Sequence, residues 1–126
     1  MIRLKELDHF GVEVSDIERA RRFYCDLLGV AFLQSLASHG LVLRCGERNV
    51  ALHLNPRMRP APVEIIENPL GKAHHAFRVS PEDFDNALES FARGGVPSHG
   101  PVDWGDHDCL YFLDPDGNLL ELVRHR

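Results

Sequence analysis

Two stretches of the chain repeat one pattern of apolar and polar positions. LDHFGVEVSDIERARRFY, from Leu7, and KAHHAFRVSPEDFDNALESF, from Lys72, each begin with strand-like alternation, pass through a serine and continue with helical spacing. In the first, Phe10, Val12 and Val14 alternate with His9, Gly11 and Glu13. In the second, His75, Phe77 and Val79 alternate with His74, Ala76 and Arg78. An offset of 65 carries His9 onto His74 and Ser15 onto Ser80. Ser15 with Glu18 reads as a capping box for a helix whose face is Ile17, Ala20, Phe23, Tyr24, Leu27 and Leu28, stopped by Gly29. Ser80, with Pro81 at the first helical position, starts an equivalent helix through Phe84, Leu88 and Phe91 to Gly94-Gly95.

Three strand-like segments follow each helix: 30–36, 41–44 and 49–54, then 96–102, 109–113 and 118–123, the last two joined by a turn at Asp114-Pro115-Asp116-Gly117. ALHL at 51–54 aligns with LLEL at 119–122, which places His53 on Glu121 at an offset of 68. The three added residues are assigned to the loop between His99 and Asp108. The expected fold is α+β, a βαβββ module repeated within one domain over 1–126. Module one covers about 1–56, a proline-rich linker 57–71 and module two about 72–126.

The repeat makes polar residues inside strands comparable. If the Phe/Val face of each first strand packs under its helix, His9 and His74 point to the opposite face, where a concave sheet can hold a ligand. Glu121 interrupts an apolar strand, and a buried carboxylate is costly without a partner. His9, His53, His74 and Glu121 together form a donor set suited to a divalent ion such as Fe, Mn, Co, Ni or Zn, and the charge of such an ion accounts for the acid.

Composition narrows the classes. The chain is 44% apolar and 26% charged with a formal net charge of -5, which argues for a globular protein and against a nucleic-acid partner. It has no apolar run long enough to span a bilayer and no apolar signal core at the N-terminus, so the expectation is a cytoplasmic protein with no membrane partner. Cys25, Cys45 and Cys109 form no CxxC pair and read as reduced packing residues, Cys109 being the one near Glu121.

LDHFGVEVSDIERARRFYCDLLG, AHHAF and YFLDPDGNLLELV resemble the vicinal oxygen chelate superfamily, which groups glyoxalase I, extradiol dioxygenases, methylmalonyl-CoA epimerase and the fosfomycin and bleomycin resistance proteins. The resemblance implies paired βαβββ modules whose sheets curl around a metal, often in a homodimer, and an enzyme that chelates two neighbouring oxygens of a small substrate. It implies metal ligands at His9, His74 and Glu121, and it places Tyr111 beside the substrate. His53 stands where glyoxalase I has Glu or Gln, and is either a fourth ligand or a general acid or base. Four ligands favour isomerase or lyase chemistry. Three favour an extradiol-type Fe(II) dioxygenase. Gly11 and Cys109 stand where fosfomycin-resistance proteins have a threonine and a serine, so that role fits less well. A non-catalytic protein that sequesters a small molecule such as an antibiotic is the alternative from another class.

Overall fold

The computed structural model describes residues 1–126, which divide into two compact units, Met1–Arg59 and Pro60–Arg126. Each is a βαβββ module with a four-stranded mixed sheet, and together they make an α+β chain.

In the first unit the elements are β1 (His9–Val14), α1 (Ile17–Arg21) running into a π-helical segment (Arg22–Leu27), β2 (Ala31–Ser35), β3 (Gly40–Cys45) and β4 (Arg48–Leu54). The sheet order is β1-β4-β3-β2, with β1 and β4 parallel and the other pairs antiparallel. Alternation sends Val12, Val14, Leu41, Leu43, Val50 and Leu52 to one face, all buried, together with Ala20, Phe23 and Tyr24 of the helix. Each fully buried side chain of this size stabilises the fold by about 1.5–3 kcal/mol.

The helix differs from expectation at its start and in its second half. Asp16, not Ser15, is the N-cap, and its carboxylate accepts from Arg19 N at 2.9 Å. Ser15 Oγ instead accepts from the Arg19 guanidinium at 2.8 Å. From Arg22 the backbone widens to π-helical spacing, closed by Leu28 N donating to Phe23 O at 3.1 Å. An extra residue per turn lets the adjacent Phe23 and Tyr24 both turn inward, with ring centroids 5.4 Å apart, while Leu27 is left exposed.

The second unit holds β5 (His75–Arg78), α2 (Pro81–Gly94), β6 (Ser98–Asp103), β7 (His107–Leu113) and β8 (Leu119–His125), in the sheet order β5-β8-β7-β6. Ser80 caps α2 by accepting from Asp83 N at 3.0 Å, and Gly95 ends it in a left-handed conformation. The helix buries Phe84 and Phe91, the latter 4.8 Å from the Phe112 ring. The proline-rich segment is more than a tether. Its 3-10 turn (Val63–Glu67) lays Ile65 and Ile66 against Cys109, Tyr111, Leu113 and Leu119 on the face away from α2.

The β7–β8 turn is held by one side chain. Asp114 Oδ1 accepts from the backbone N–H of Asp116 at 2.9 Å and of Asn118 at 2.8 Å, while Oδ2 accepts from the Asn118 amide. Gly117 has φ +82°, and a Cβ there would lie 2.8 Å from Ala61 O and 2.9 Å from Ala61 N. We therefore expect Gly117→Ala to cost about 2–3 kcal/mol, from positive-φ strain plus the clash. Gly95→Ala, with φ +66° and nothing within 4 Å of its Cβ, should cost about 1 kcal/mol. Chemical denaturation of both variants checks the order; equal losses would mean that the Ala61 contact imposes no constraint.

Candidate metal centre

Strand register settles which residues of the two units correspond. Gly11 pairs with Ala51 and Ala76 with Glu121, so the offset of 65 from Gly11 to Ala76 becomes 70 from Ala51 to Glu121. The ALHL/LLEL alignment is therefore two residues out. Ala51 stands where the second unit has Glu121, and His53 lies further along β4, opposite Glu13. Across the hairpins, Val42 pairs with Ala51 and Tyr111 with Glu121, while Gln34 pairs with Val42 and His99 with Tyr111. The added residues lie mostly between His99 and Tyr111, around the β6 bulge, with one more in the β7–β8 turn. A two-residue error leaves the strand face unchanged, so alternation alone could not have exposed it.

In the second unit, β8 carries Glu121, 6% exposed, on the face opposite α2, and Tyr111 and Cys109 of β7 share that face. His74, immediately before β5, reaches the same place. Its Nε2 is 2.8 Å from Glu121 Oε2, and its ring meets Tyr111 edge-on at 5.6 Å. His75 points the other way, and burial pushes its pKa down.

The tautomer of His74 follows from its other nitrogen. Nδ1 lies 2.7 Å from the Lys72 carbonyl oxygen, which can only accept, so Nδ1 carries a proton. Nε2 then directs a lone pair at a carboxylate unless a cation or a second proton stands between them. An imidazole whose Nδ1–H is fixed by a carbonyl and whose Nε2 faces a buried carboxylate is a donor pair that fits a divalent metal. His9 in the first unit has its Nδ1 2.6 Å from Oδ1 of the adjacent, exposed Asp8, a side-chain contact that His107 also makes with Asp106. Of the four expected ligands, His74 and Glu121 are brought together within the second unit.

His53 is exposed, and its ring lies over Gly11, where a Cβ would come within 3.3 Å of Cδ2 and Nε2. His9 therefore has Ala51, and not His53, as the neighbour that corresponds to Glu121. On this register His53 is not the counterpart of Glu121.

Two features escaped the sequence reading. Tyr111 is the strand partner of Glu121, and Cys109 lies two residues from Tyr111 on the same face, so the carboxylate sits among side chains of its own hairpin. Trp104, between β6 and β7, lies close enough to Cys109 and Tyr111 to lower both pKa values slightly against the rise caused by burial. Counting back across the turn from Glu121 identifies Tyr111 and Cys109 on its face; only the fold brings Trp104 there. Burial, followed by the Glu121 carboxylate, pushes the Cys109 thiol up to about 12, and the Tyr111 phenol is raised for the same two reasons.

The sequence model of the Glyoxalase/Bleomycin resistance protein/Dioxygenase superfamily matches residues 6–122. A glutathione transferase, FosA, from Serratia marcescens is 31% identical over 119 residues, covering 94% of this chain and 80% of that protein. A catechol-2,3-dioxygenase from Bacillus subtilis is 28% identical over 133 residues, covering all of this chain but only 45% of its own length. The crystal structure of a glyoxalase/dioxygenase from Nostoc punctiforme superposes with a TM-score of 0.79 at 24% identity, covering 97% of this chain and 92% of that one, which shows a shared fold.

A thiol with pKa near 12 is almost wholly protonated at pH 8 and reacts slowly. Alkylation of the folded, metal-free protein at pH 8 should label the half-buried Cys25 and Cys45 first, and Cys109 only after denaturation, as read by peptide mass spectrometry. Labelling of Cys109 at the rate of the other two would contradict its placement against Glu121.

Proposed function

The chain belongs to the glyoxalase/bleomycin resistance protein/dioxygenase superfamily, and on that premise we propose that it is a divalent-metal-dependent enzyme acting on a small oxygenated metabolite. His74 and Glu121 are the anchoring ligand pair, and His9 is the further imidazole ligand. The observation that carries this reading is the His74 ring, held by the Lys72 carbonyl so that Nε2 faces Glu121 at 2.8 Å. Proton pairing alone accounts for one such contact. His9 enters as the residue that the offset of 65 places on His74.

A divalent ion bound by these residues would supply Lewis-acid activation of two neighbouring substrate oxygens. Fe, Mn, Co, Ni and Zn all accept a donor set of two imidazoles and one carboxylate. Tyr111, beside Glu121, offers a hydroxyl within the same cluster, able to donate to a substrate oxygen. His53 serves as an acid or base, with an exposed ring that Gly11 leaves room for.

Ala51 in place of a carboxylate favours three protein ligands over four. Three ligands leave room on an octahedral ion for a chelating substrate and a second reactant, which moves the preference from isomerase or lyase chemistry towards group transfer or dioxygenation. The transferase and dioxygenase relatives support that direction. A cytoplasmic homodimer with no nucleic-acid or membrane partner completes the proposal.

The test is elemental analysis of untagged protein purified without added metal, beside Glu121→Ala and His53→Ala. We expect about one transition-metal ion per chain in the parent and in His53→Ala. The loss in Glu121→Ala should exceed the roughly 10–100-fold that removal of an outer-shell partner costs. Metal retained in Glu121→Ala, or a parent that takes up no metal after anaerobic reloading, would leave a small-molecule binding protein as the better account.

A further inference from the structure

The strand face that carries Glu121 continues beyond it. On the β7–β8 ladder Tyr111 pairs with Glu121, Cys109 with Val123 and His107 with His125, and alternation puts all six side chains on one face. The last pair lies four residues along β8 from Glu121, about 13 Å away at the usual rise of a strand. It is a separate cluster, and neither of its rings belongs to the ligand set proposed above.

Two imidazoles stand directly opposite each other there, with ring centroids 5.6 Å apart and planes inclined by 33°. Metal–nitrogen bonds of about 2.0–2.1 Å place the centroids of two imidazoles on one tetrahedral ion about 5 Å apart, so small side-chain rotations bring both rings onto a shared ion. Nδ1 of His107 lies 2.5 Å from Asp106 Oδ1, and a carboxylate only accepts, so Nδ1 carries a proton and Nε2 keeps its lone pair. A carboxylate behind an imidazole fixes the ring and raises its basicity as a ligand. His9 makes the same contact with Asp8, but its strand partner is Asn49. The second imidazole in register is what sets the His107 cluster apart.

The frame around the pair is already fastened. Arg126 donates its backbone N–H to Asp106 O at 3.0 Å and one guanidinium nitrogen to Gly105 O at 2.5 Å. The other guanidinium nitrogen reaches Asp108 Oδ1 at 2.5 Å and Asp103 Oδ1 at 3.0 Å. These contacts tie the segment before His107 to the residue after His125. Arg124 and Arg126 thereby answer Asp85, Asp103 and Asp108, while the Asp106 carboxylate faces His107 and leaves a negative charge beside the imidazoles.

We propose that His107 and His125 form a second, two-ligand site for a late first-row divalent ion, with Asp106 orienting His107 from behind and water or a small ligand filling the remaining positions. Imidazole pairs select Cu(II), Ni(II) and Zn(II) over Mg(II) and Ca(II). The site stands independently of the proposed function. With only two protein ligands it exchanges its ion readily, so it does not add to the metal retained through purification.

Trp104, the chain's single tryptophan, reports on this site. Its ring stacks on His107 with centroids 6.5 Å apart and planes 19° apart, so a paramagnetic ion held by His107 quenches its emission. Nickel(II) is such an ion and does not oxidise the free cysteines. In untagged, metal-free Glu121→Ala protein, nickel should quench Trp104 along a single-site curve, and excess zinc should restore the emission. Adding His125→Ala, which leaves the stack on His107 in place, should abolish saturation. His107→Phe, which keeps a ring beside the indole, should do the same. Asp106→Ala should weaken nickel binding by about tenfold. His39→Ala, which removes an exposed histidine of the first unit, should change nothing.

A His125→Ala curve that matches the Glu121→Ala background would overturn the proposal, as would quenching in that background that rises linearly with nickel, the mark of collision alone. Neither result bears on the Glu121 centre, whose metal is read by elemental analysis.

Discussion

The buried carboxylate of Glu121 is the constraint around which the second unit is arranged. A charge on an apolar strand costs several kcal/mol unless it is met by polar partners, and the unit brings three polar side chains to it from two places in the fold. β7 brings the Tyr111 hydroxyl and the Cys109 thiol, and the residue before β5 brings His74. The parallel β5–β8 pairing is what makes the last of these possible. Ala76 lies beside Glu121, so the residue two positions earlier on the same face is the diagonal neighbour of the acid. A shift by one residue in that register would send Glu121 into the helix-facing layer with Phe84 and Phe91.

The first unit repeats the frame and omits the charge. Ala51, Val42 and Gln34 occupy the places of Glu121, Tyr111 and His99, and only His9 is kept in kind. The Phe/Val face under each helix is common to both units because that face stabilises each module by apolar burial. The opposite face is where they diverge. Duplication has preserved the packing problem and left one set of polar positions to change.

Most of the fold was legible from the chain. Period-2 alternation in each first strand, a cap residue before each helix and glycine after it suffice to identify two βαβββ units, because burial enforces those periods. The misreadings share one cause. Ser15 and Asp16 are adjacent residues of equal capping ability, and only the approach of Arg19 chooses between them. His53 and Ala51 lie on the same strand face two residues apart, so a local match of ALHL with LLEL satisfies the pattern, whereas hydrogen-bond register does not. Sequence periodicity constrains which face a residue takes; its position along that face depends on pairing with strands far away in the chain.

The same distinction explains why Trp104 was visible only as an aromatic residue in a loop. Nothing local ties it to Glu121, seventeen residues on. Its place depends on the β6–β7 bulge, on the stack with His107 and on the four contacts made by Arg126, each a product of tertiary pairing. Groups that touch the carboxylate directly sit on regular strands and inherit their aim from the sheet. Trp104 sits in a connection, and a connection has no ladder to hold it. An ion-paired clamp such as Arg126 with Asp103 and Asp108 supplies the missing rigidity, since several charge-assisted bonds converging on one guanidinium restrict a short segment more than any single contact can.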